Sequence, residues 1–166
     1  MKKSLITILT VLVFFGVSYA KNTGFLIGAE IGNGKVSASE IDKSGSQDDT
    51  IYSYKVGYFT AHQRFLLKGD IADIKDNIEI KTAFFEIDQV FSIVYVGLNL
   101  GYMSYKEENV LDKSGIIYGL QGGFLYEINS FIELEGNVRF SLTSISENNF
   151  DVDSWRVISA GLNIKF

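Results

Sequence analysis

A length of 166 residues suits a single domain, and the absence of cysteine excludes disulfides, thiol chemistry and a lipoprotein-type anchor. Acidic side chains outnumber basic ones by 20 to 15, which disfavours nucleic acid as a partner.

The first twenty residues have the order of a secretory signal peptide. Two lysines precede an apolar run of about 13 residues, and small residues follow at Ser18 and Ala20. The run is shorter than the roughly 20 residues that a spanning helix needs, so an uncleaved anchor is the less favoured alternative. We predict a signal helix over residues 1–20, cleavage after Ala20, and a mature domain of residues 21–166 with 13 basic and 20 acidic side chains.

Most of the mature chain alternates apolar and polar residues with a period of two, whereas a helix would repeat every three or four. The clearest segment is 132–143, where apolar residues and one glycine occupy even positions and polar ones occupy odd positions. A fourth segment keeps this alternation only if a β-bulge lies near Thr82. Eight strands are predicted: 25–32, 52–59, 65–72, 79–88, 93–105, 116–128, 131–143 and 155–166.

The predicted connections alternate in length along the chain. Short turns are expected at 61–63, 89–92 and 129–130, and long polar loops at 39–50, 73–77, 106–114 and 146–153. An even number of strands with this asymmetry is typical of bacterial outer-membrane barrels, whose short turns face the periplasm. The predicted fold is all-β: a closed, antiparallel, up-and-down transmembrane β-barrel of eight strands.

Alternation alone does not say which face is outside, because a soluble lipocalin-like barrel shows the same pattern with the faces exchanged. The polar parity is rich in glycine and in charges of both signs, which suits a narrow, filled lumen. Aromatic residues gather near strand ends, as they do at membrane interfaces. The membrane barrel is therefore favoured, and a soluble periplasmic binding barrel is the less favoured alternative.

Segments 24–29 and 96–102, together with a last strand that ends on Phe166, resemble the small outer-membrane barrel family of the OmpA membrane domain and OmpX. The resemblance implies that Leu162, Ile164 and Phe166 form a C-terminal signal read by the barrel-insertion machinery. It also implies contacts with outer-membrane lipids and lipopolysaccharide. We expect no periplasmic domain after Phe166, and the sequence does not specify an extracellular partner.

The charges on the polar parity form the candidate site. Glu133, Glu135 and Arg139 project from one face of a single predicted strand. Charges cut off from water are tolerated when they are paired, so we predict a structural plug in the lumen. A network that rearranges to form a narrow path for ions or small solutes is the alternative. Further expected members are Glu30, Lys68 and Glu127.

Enzymatic chemistry has little support in this sequence. Nucleophilic hydrolysis commonly needs a histidine beside a serine, and the single histidine, His62, falls in a predicted exposed turn. We therefore expect no catalysis, no metal and no cofactor. The predicted function is a structural or surface-interaction barrel of the outer membrane.

Overall fold

The structure, a computed structural model, describes residues 23–40, 43–74, 78–107, 111–147 and 150–166. The predicted signal helix, with Ser18 and Ala20 at its cleavage site, lies outside these residues. Within the part of the chain described here, no helix has the length and hydropathy to cross a membrane.

Eight antiparallel strands follow one another around a closed barrel, and the last pairs with the first. The prediction of an eight-stranded up-and-down barrel is therefore confirmed. The strands are β1 (Gly24–Glu40), β2 (Lys43–Phe59), β3 (Gln63–Ile74), β4 (Ile78–Phe91), β5 (Val94–Glu107), β6 (Leu111–Glu127), β7 (Ile132–Glu147) and β8 (Phe150–Lys165).

Three tight turns and both ends of the barrel chain lie at one rim, which we call the periplasmic rim because short turns face the periplasm in such barrels. In the β2–β3 turn, the Thr60 hydroxyl accepts a 2.9 Å hydrogen bond from the Gln63 N–H. In the β6–β7 turn, the Asn129 carboxamide oxygen accepts hydrogen bonds from the backbone N–H groups of Phe131 and Ile132. Side chains thus satisfy the backbone where the ladder stops.

The opposite, extracellular rim differs from the prediction. Three of the predicted long loops, 39–50, 106–114 and 146–153, are largely strand in the part of the chain that the structure describes: β1, for example, continues to Glu40 and β2 begins at Lys43. Of the predicted loop 73–77, the structure describes residues 73 and 74, which belong to β3. Beyond the membrane, lipid no longer requires every second residue of a strand to be apolar, so no regular alternation marks these residues as strand. The expected asymmetry between the rims is present as strands that project, rather than as long loops.

The bulge expected near Thr82 is also wrong, because β4 pairs with β3 and β5 without a shift in register across that position. The pattern misled because Ile80 and Phe84 are apolar and yet face the lumen. Shifts in register occur instead where β8 meets β1, at Ser37, and where β8 meets β7, near Leu142.

An apolar belt surrounds the barrel. On β6 the outward side chains from Ile116 to Tyr126 cover roughly 25 Å along the membrane normal, at about 3.3 Å per residue and a tilt of about 40°. The belt is rich in exposed large apolar side chains, Leu120 among them with 61% of its surface exposed, while charged side chains face the lumen. The alternative of a soluble, lipocalin-like barrel is therefore wrong, because the apolar face of such a barrel would lie inside.

Replacing Leu120 with Arg places a charge in the middle of the belt. We expect the free energy of folding into a bilayer to become less favourable by about 2 to 4 kcal/mol. Urea titration of the protein refolded in phospholipid vesicles measures this loss, and Leu120→Val, which keeps the lipid contact, serves as the control. Equal stability of the two variants would contradict the outward position of this side chain.

Candidate functional site in the barrel lumen

The lumen is filled by two layers of different chemistry. The layer nearer the periplasmic rim, which we call the ionic network, holds charged and amide side chains. The layer nearer the extracellular rim, which we call the apolar plug, is a cluster of buried hydrophobic side chains. Among the described residues, the network contains six buried carboxylates and five buried cations, so its charges balance to within one. They are Glu30, Asp70, Glu86, Asp88, Glu133 and Glu135, with Lys55, Arg64, Lys68, Arg139 and Lys165.

Glu135, on β7, is the centre of the network. Arg64 from β3 donates two hydrogen bonds to its two carboxylate oxygens, both at 3.0 Å, and Lys55 from β2 pairs with one of these oxygens. Tyr95 from β5 and Asn163 from β8 donate to the same carboxylate at 2.5 and 2.8 Å. A carboxylate this deeply buried needs several donors, and here four other strands supply them.

Two further ion-pair clusters lie beside this centre. Glu30 on β1 accepts 2.7 Å bonds from Lys55 and Lys68, one on each carboxylate oxygen. Lys55 therefore bridges Glu30 and Glu135, which come from opposite ends of the chain. On the other side, Asp88 accepts from Arg64 at 2.7 Å and from Gln121 at 2.7 Å.

Arg139 joins the ionic network to the apolar plug. Its guanidinium pairs with Asp70 and, at 3.1 Å, with Glu86. The same group lies 4.2 Å from the centroid of the Phe84 ring, which belongs to the plug. A guanidinium can bind carboxylates at its edge and an aromatic ring on its face, so this residue suits the boundary between the layers.

The network thins out toward the periplasmic rim. Lys165 on β8 pairs with Glu127 and lies 3.6 Å from Glu133, and Asn163 donates to Glu133 at 2.9 Å. Glu127 is largely exposed, with 66% of its side chain accessible. This pair meets water and is worth less than the buried pairs above it.

The structure places the six predicted charges as follows. Glu30 and Lys68 pair with each other, and Glu133 and Glu135 share Asn163 and Arg64 as partners. Arg139 bonds to neither of these two glutamates, although it projects from the same strand face; its partners lie on β3 and β4. Glu127 lies at the rim, outside the buried network.

Sequence reasoning missed two of the most connected residues. Arg64 falls between the predicted turn 61–63 and the predicted strand 65–72, but it is the second residue of β3 and is buried against the ring of Tyr95, at 4.2 Å from its centroid. Lys55 lies on the polar face of the predicted strand 52–59, where the alternation indicates only an inward-facing charge. Its bridging role depends on strands far apart in the sequence, and no local pattern carries that information.

The apolar plug was not predicted either. Trp155 is completely buried inside it, and an added Cβ on Gly34 would lie 2.5 Å from the Trp155 ring, so a residue without a side chain is required opposite. The signal was present as large apolar residues on the lumen parity near the extracellular rim. Other members include Ile51, Ile80, Phe84, Met103, Ile117, Ile145, Val152 and Val157.

Below the ionic network, a cavity of about 950 Å³ opens at the periplasmic rim. Leu26 and Leu125 line its walls, and Arg64, Glu133 and Lys165 contribute charged groups. His62 is exposed in its turn, as predicted. Among the described residues, no group of three histidine or acidic side chains could hold a metal ion.

Comparison with known proteins places this fold. No protein-family model matches the chain. No curated protein matches it either. Among solved structures, Neisserial surface protein A superposes with a TM-score of 0.68 at 18% identity, over 88% of this chain and 100% of that one. The N-terminal β-barrel domain of OprF from Pseudomonas aeruginosa gives a TM-score of 0.55 at 12% identity, over 87% and 100%.

Both of these are small eight-stranded outer-membrane barrels. The chain has their fold. At these identities the likeness concerns the fold alone. The apolar belt, the closed ladder and the rim of short turns are the features of a bacterial outer-membrane barrel. The protein resides in the outer membrane.

The central carboxylate provides a test of the network. Changing Glu135 to Gln leaves Lys55 and Arg64 buried with one counter-ion fewer, so we expect the free energy of unfolding to fall by about 3 to 5 kcal/mol. Glu127→Gln removes the same charge at the exposed rim and should cost less than about 1 kcal/mol. Urea unfolding in vesicles measures both. Similar losses for the two variants would show that Glu135 is not the centre of the network.

Proposed function

We propose that the protein is a closed outer-membrane barrel with a structural or surface-interaction role, and that it does not conduct ions. The occluded lumen carries this proposal. An ion crossing the barrel would have to part the buried pairs around Glu135 and then pass the apolar plug around Trp155. Buried pairs are costly to break, and a filled apolar layer offers a passing ion no ligands.

The alternative of a narrow channel has less support. The periplasmic cavity extends up to Arg64, but this side chain is buried and is held by Glu135 and Asp88. An opening of the ionic network would still leave the apolar plug above it. A conducting path therefore needs two rearrangements in layers of unlike chemistry.

An enzymatic role has little support as well. The charged side chains described in the lumen form ion pairs with one another, as Arg64 does with Asp88 and Glu135. His62 is exposed in its turn at the periplasmic rim. A general base must lie within hydrogen-bond reach of the proton that it abstracts, and no such arrangement with a nucleophile supports catalysis here.

The projecting strands are the part of the protein that we propose makes surface contacts. β1 and β2 are 17 residues long, and their ladder continues to the pair Glu40 and Lys43, well beyond the belt. Backbone pairing makes these ends firmer than free loops.

We further propose, from the sequence, that the protein is exported with cleavage after Ala20. We also propose that Leu162, Ile164 and Phe166, whose side chains point outward, direct its insertion into the outer membrane.

The occlusion predicts a silent bilayer recording. We expect the refolded protein, added to a planar phospholipid membrane, to show no unitary current steps. The OprF barrel domain refolded in the same way is a size-matched comparison. Insertion is verified independently by protease protection of the belt strands. Discrete, reproducible openings would contradict the plug and support the channel alternative.

The direction of the barrel in the membrane predicts which hairpins can be reached from outside. An epitope tag inserted between Ser44 and Gly45 should bind antibody on intact cells, whereas a tag beside His62 should bind only after the outer membrane is permeabilised. Flow cytometry before and after permeabilisation measures both. The reverse pattern would show that the short turns face outward.

A further inference from the structure

Two cations stand side by side on the outer wall of the barrel. Lys35 on β1 and Arg156 on β8 are directly opposed in the ladder, and both side chains are exposed. Directly opposed residues have their Cβ atoms about 4.5 to 5.5 Å apart, and like charges in this position are destabilising. The pair therefore needs an anion to offset its repulsion.

The described residues do not supply that anion. No described side chain forms an ion pair with either cation. The guanidinium of Arg156 instead lies over the ring of Phe140, whose centroid is 5.3 Å from the guanidinium carbon. Asp48 is the register partner of Lys35 on β2. By sequence alone, the three residues of this row carry two formal positive charges and one formal negative charge.

The height of the pair on the barrel indicates the source of the anion. Lys35 lies ten residues beyond Phe25, and Arg156 lies ten residues before Phe166, both of which mark the periplasmic edge of the belt. At about 3.3 Å per residue and a tilt of about 40°, both cations lie roughly 25 Å above that edge, which is the full height of such a belt. They are therefore level with the headgroups of the outer leaflet.

A third outward-facing cation lies at the same height on the barrel. Lys81 on β4 lies ten residues before Phe91 and also points outward, but its ammonium group is 2.5 Å from a carboxylate oxygen of Glu79. It thus has a counter-ion within the protein. Only the β1 and β8 pair combines this height with two adjacent charges that lack a described ion-pair partner.

We propose that Lys35 and Arg156 bind a phosphate group of lipopolysaccharide on the outer wall of the barrel. A phosphate monoester carries nearly two negative charges, and a guanidinium can bind two of its oxygens while an ammonium binds the third. Phe140 restricts the guanidinium by packing against it. Lipid acyl chains attached to such a headgroup would lie along the apolar residues of β8 and β1 below the pair.

This site depends on the membrane position of the barrel and not on the closed state of the lumen. A conducting barrel would overturn the proposed function and leave the phosphate site intact. Conversely, loss of the site would leave the lumen closed. The two proposals can therefore fail separately.

The test uses the full mature chain, refolded in zwitterionic detergent and titrated with lipid A that carries both phosphates. Native mass spectrometry gives the apparent Kd. We expect the double variant K35Q/R156Q to bind about tenfold more weakly or worse, because two charge-assisted contacts are lost. The matched control K81Q, and K35R/R156K with both charges kept, should stay within about threefold of the unchanged protein.

Two further arms identify the ligand. Lipid A stripped of its phosphates should bind the unchanged protein as weakly as intact lipid A binds the double variant. Inorganic phosphate at the same concentration should not displace lipid A. Displacement by inorganic phosphate would assign the site to a free anion and overturn the lipid assignment.

Equal binding by the unchanged protein and K35Q/R156Q would overturn the proposal, as would an equal loss in K81Q, which would mean diffuse surface charge. Stability separates a structural role from a binding role. Without lipid A, the double variant should unfold at the same or higher urea concentration, because a repulsion has been removed. A lower midpoint would show that the two cations support the fold rather than the ligand.

Discussion

Hydrocarbon offers no hydrogen-bond partner, and this constraint organises the whole molecule. Every backbone N–H and C=O in the belt must be paired within the chain, which only a closed ladder of strands achieves. The closing seam is the pairing of β1 with β8, finished by reciprocal bonds between the backbones of Phe25 and Phe166 at 3.2 and 2.8 Å. Closure at eight strands makes the lumen narrow, and a narrow lumen must be filled.

The filling then follows from the alternation of the strands. Side chains that do not face lipid are confined together, so charges among them must neutralise one another. Apolar residues on the inner face collect where charges are absent. The result is a barrel whose lower half resembles a buried salt-bridge cluster and whose upper half resembles the core of a soluble protein. Arg139 and Phe84 make the contact between the two.

The sequence predicts the fold well where contact with lipid imposes an alternation of apolar and polar residues, and poorly elsewhere. Within the belt, lipid forces every second residue to be apolar, so the number of strands and the facing of residues such as Leu120 or Glu135 could be read directly. Beyond the belt the same strands lose this signature, and the ladder up to Glu40 looked like a loop. Ile80 and Phe84 are apolar residues on the lumen face, so they interrupt the alternation of apolar and polar positions. This interruption led to the wrong prediction of a bulge near Thr82.

The candidate site was predictable in kind but not in its contacts. Parity alone identified charges such as Glu30 and Glu135 as facing inward. Their partners are set by the stagger of the strands and by closure, which join residues far apart in the chain: Lys55 and Glu135 are 80 positions apart, and Ser159 and Glu30 are 129 positions apart. Arg64 was missed because it stands next to a turn, where the periodic signal has not yet begun.

The five-strand convergence on Glu135 also bears on how the chain reaches its native state. Its donors come from β2, β3, β5 and β8. A sheet that lacks any of these strands leaves the carboxylate with fewer donors. A register slip of one residue would turn the charges of a strand toward lipid. Contacts of such long sequence separation slow folding, because loop closure costs entropy before they form. Complete neutralisation of the lumen charges is thus reached in the correctly closed barrel, so the network favours the native register over a slipped one.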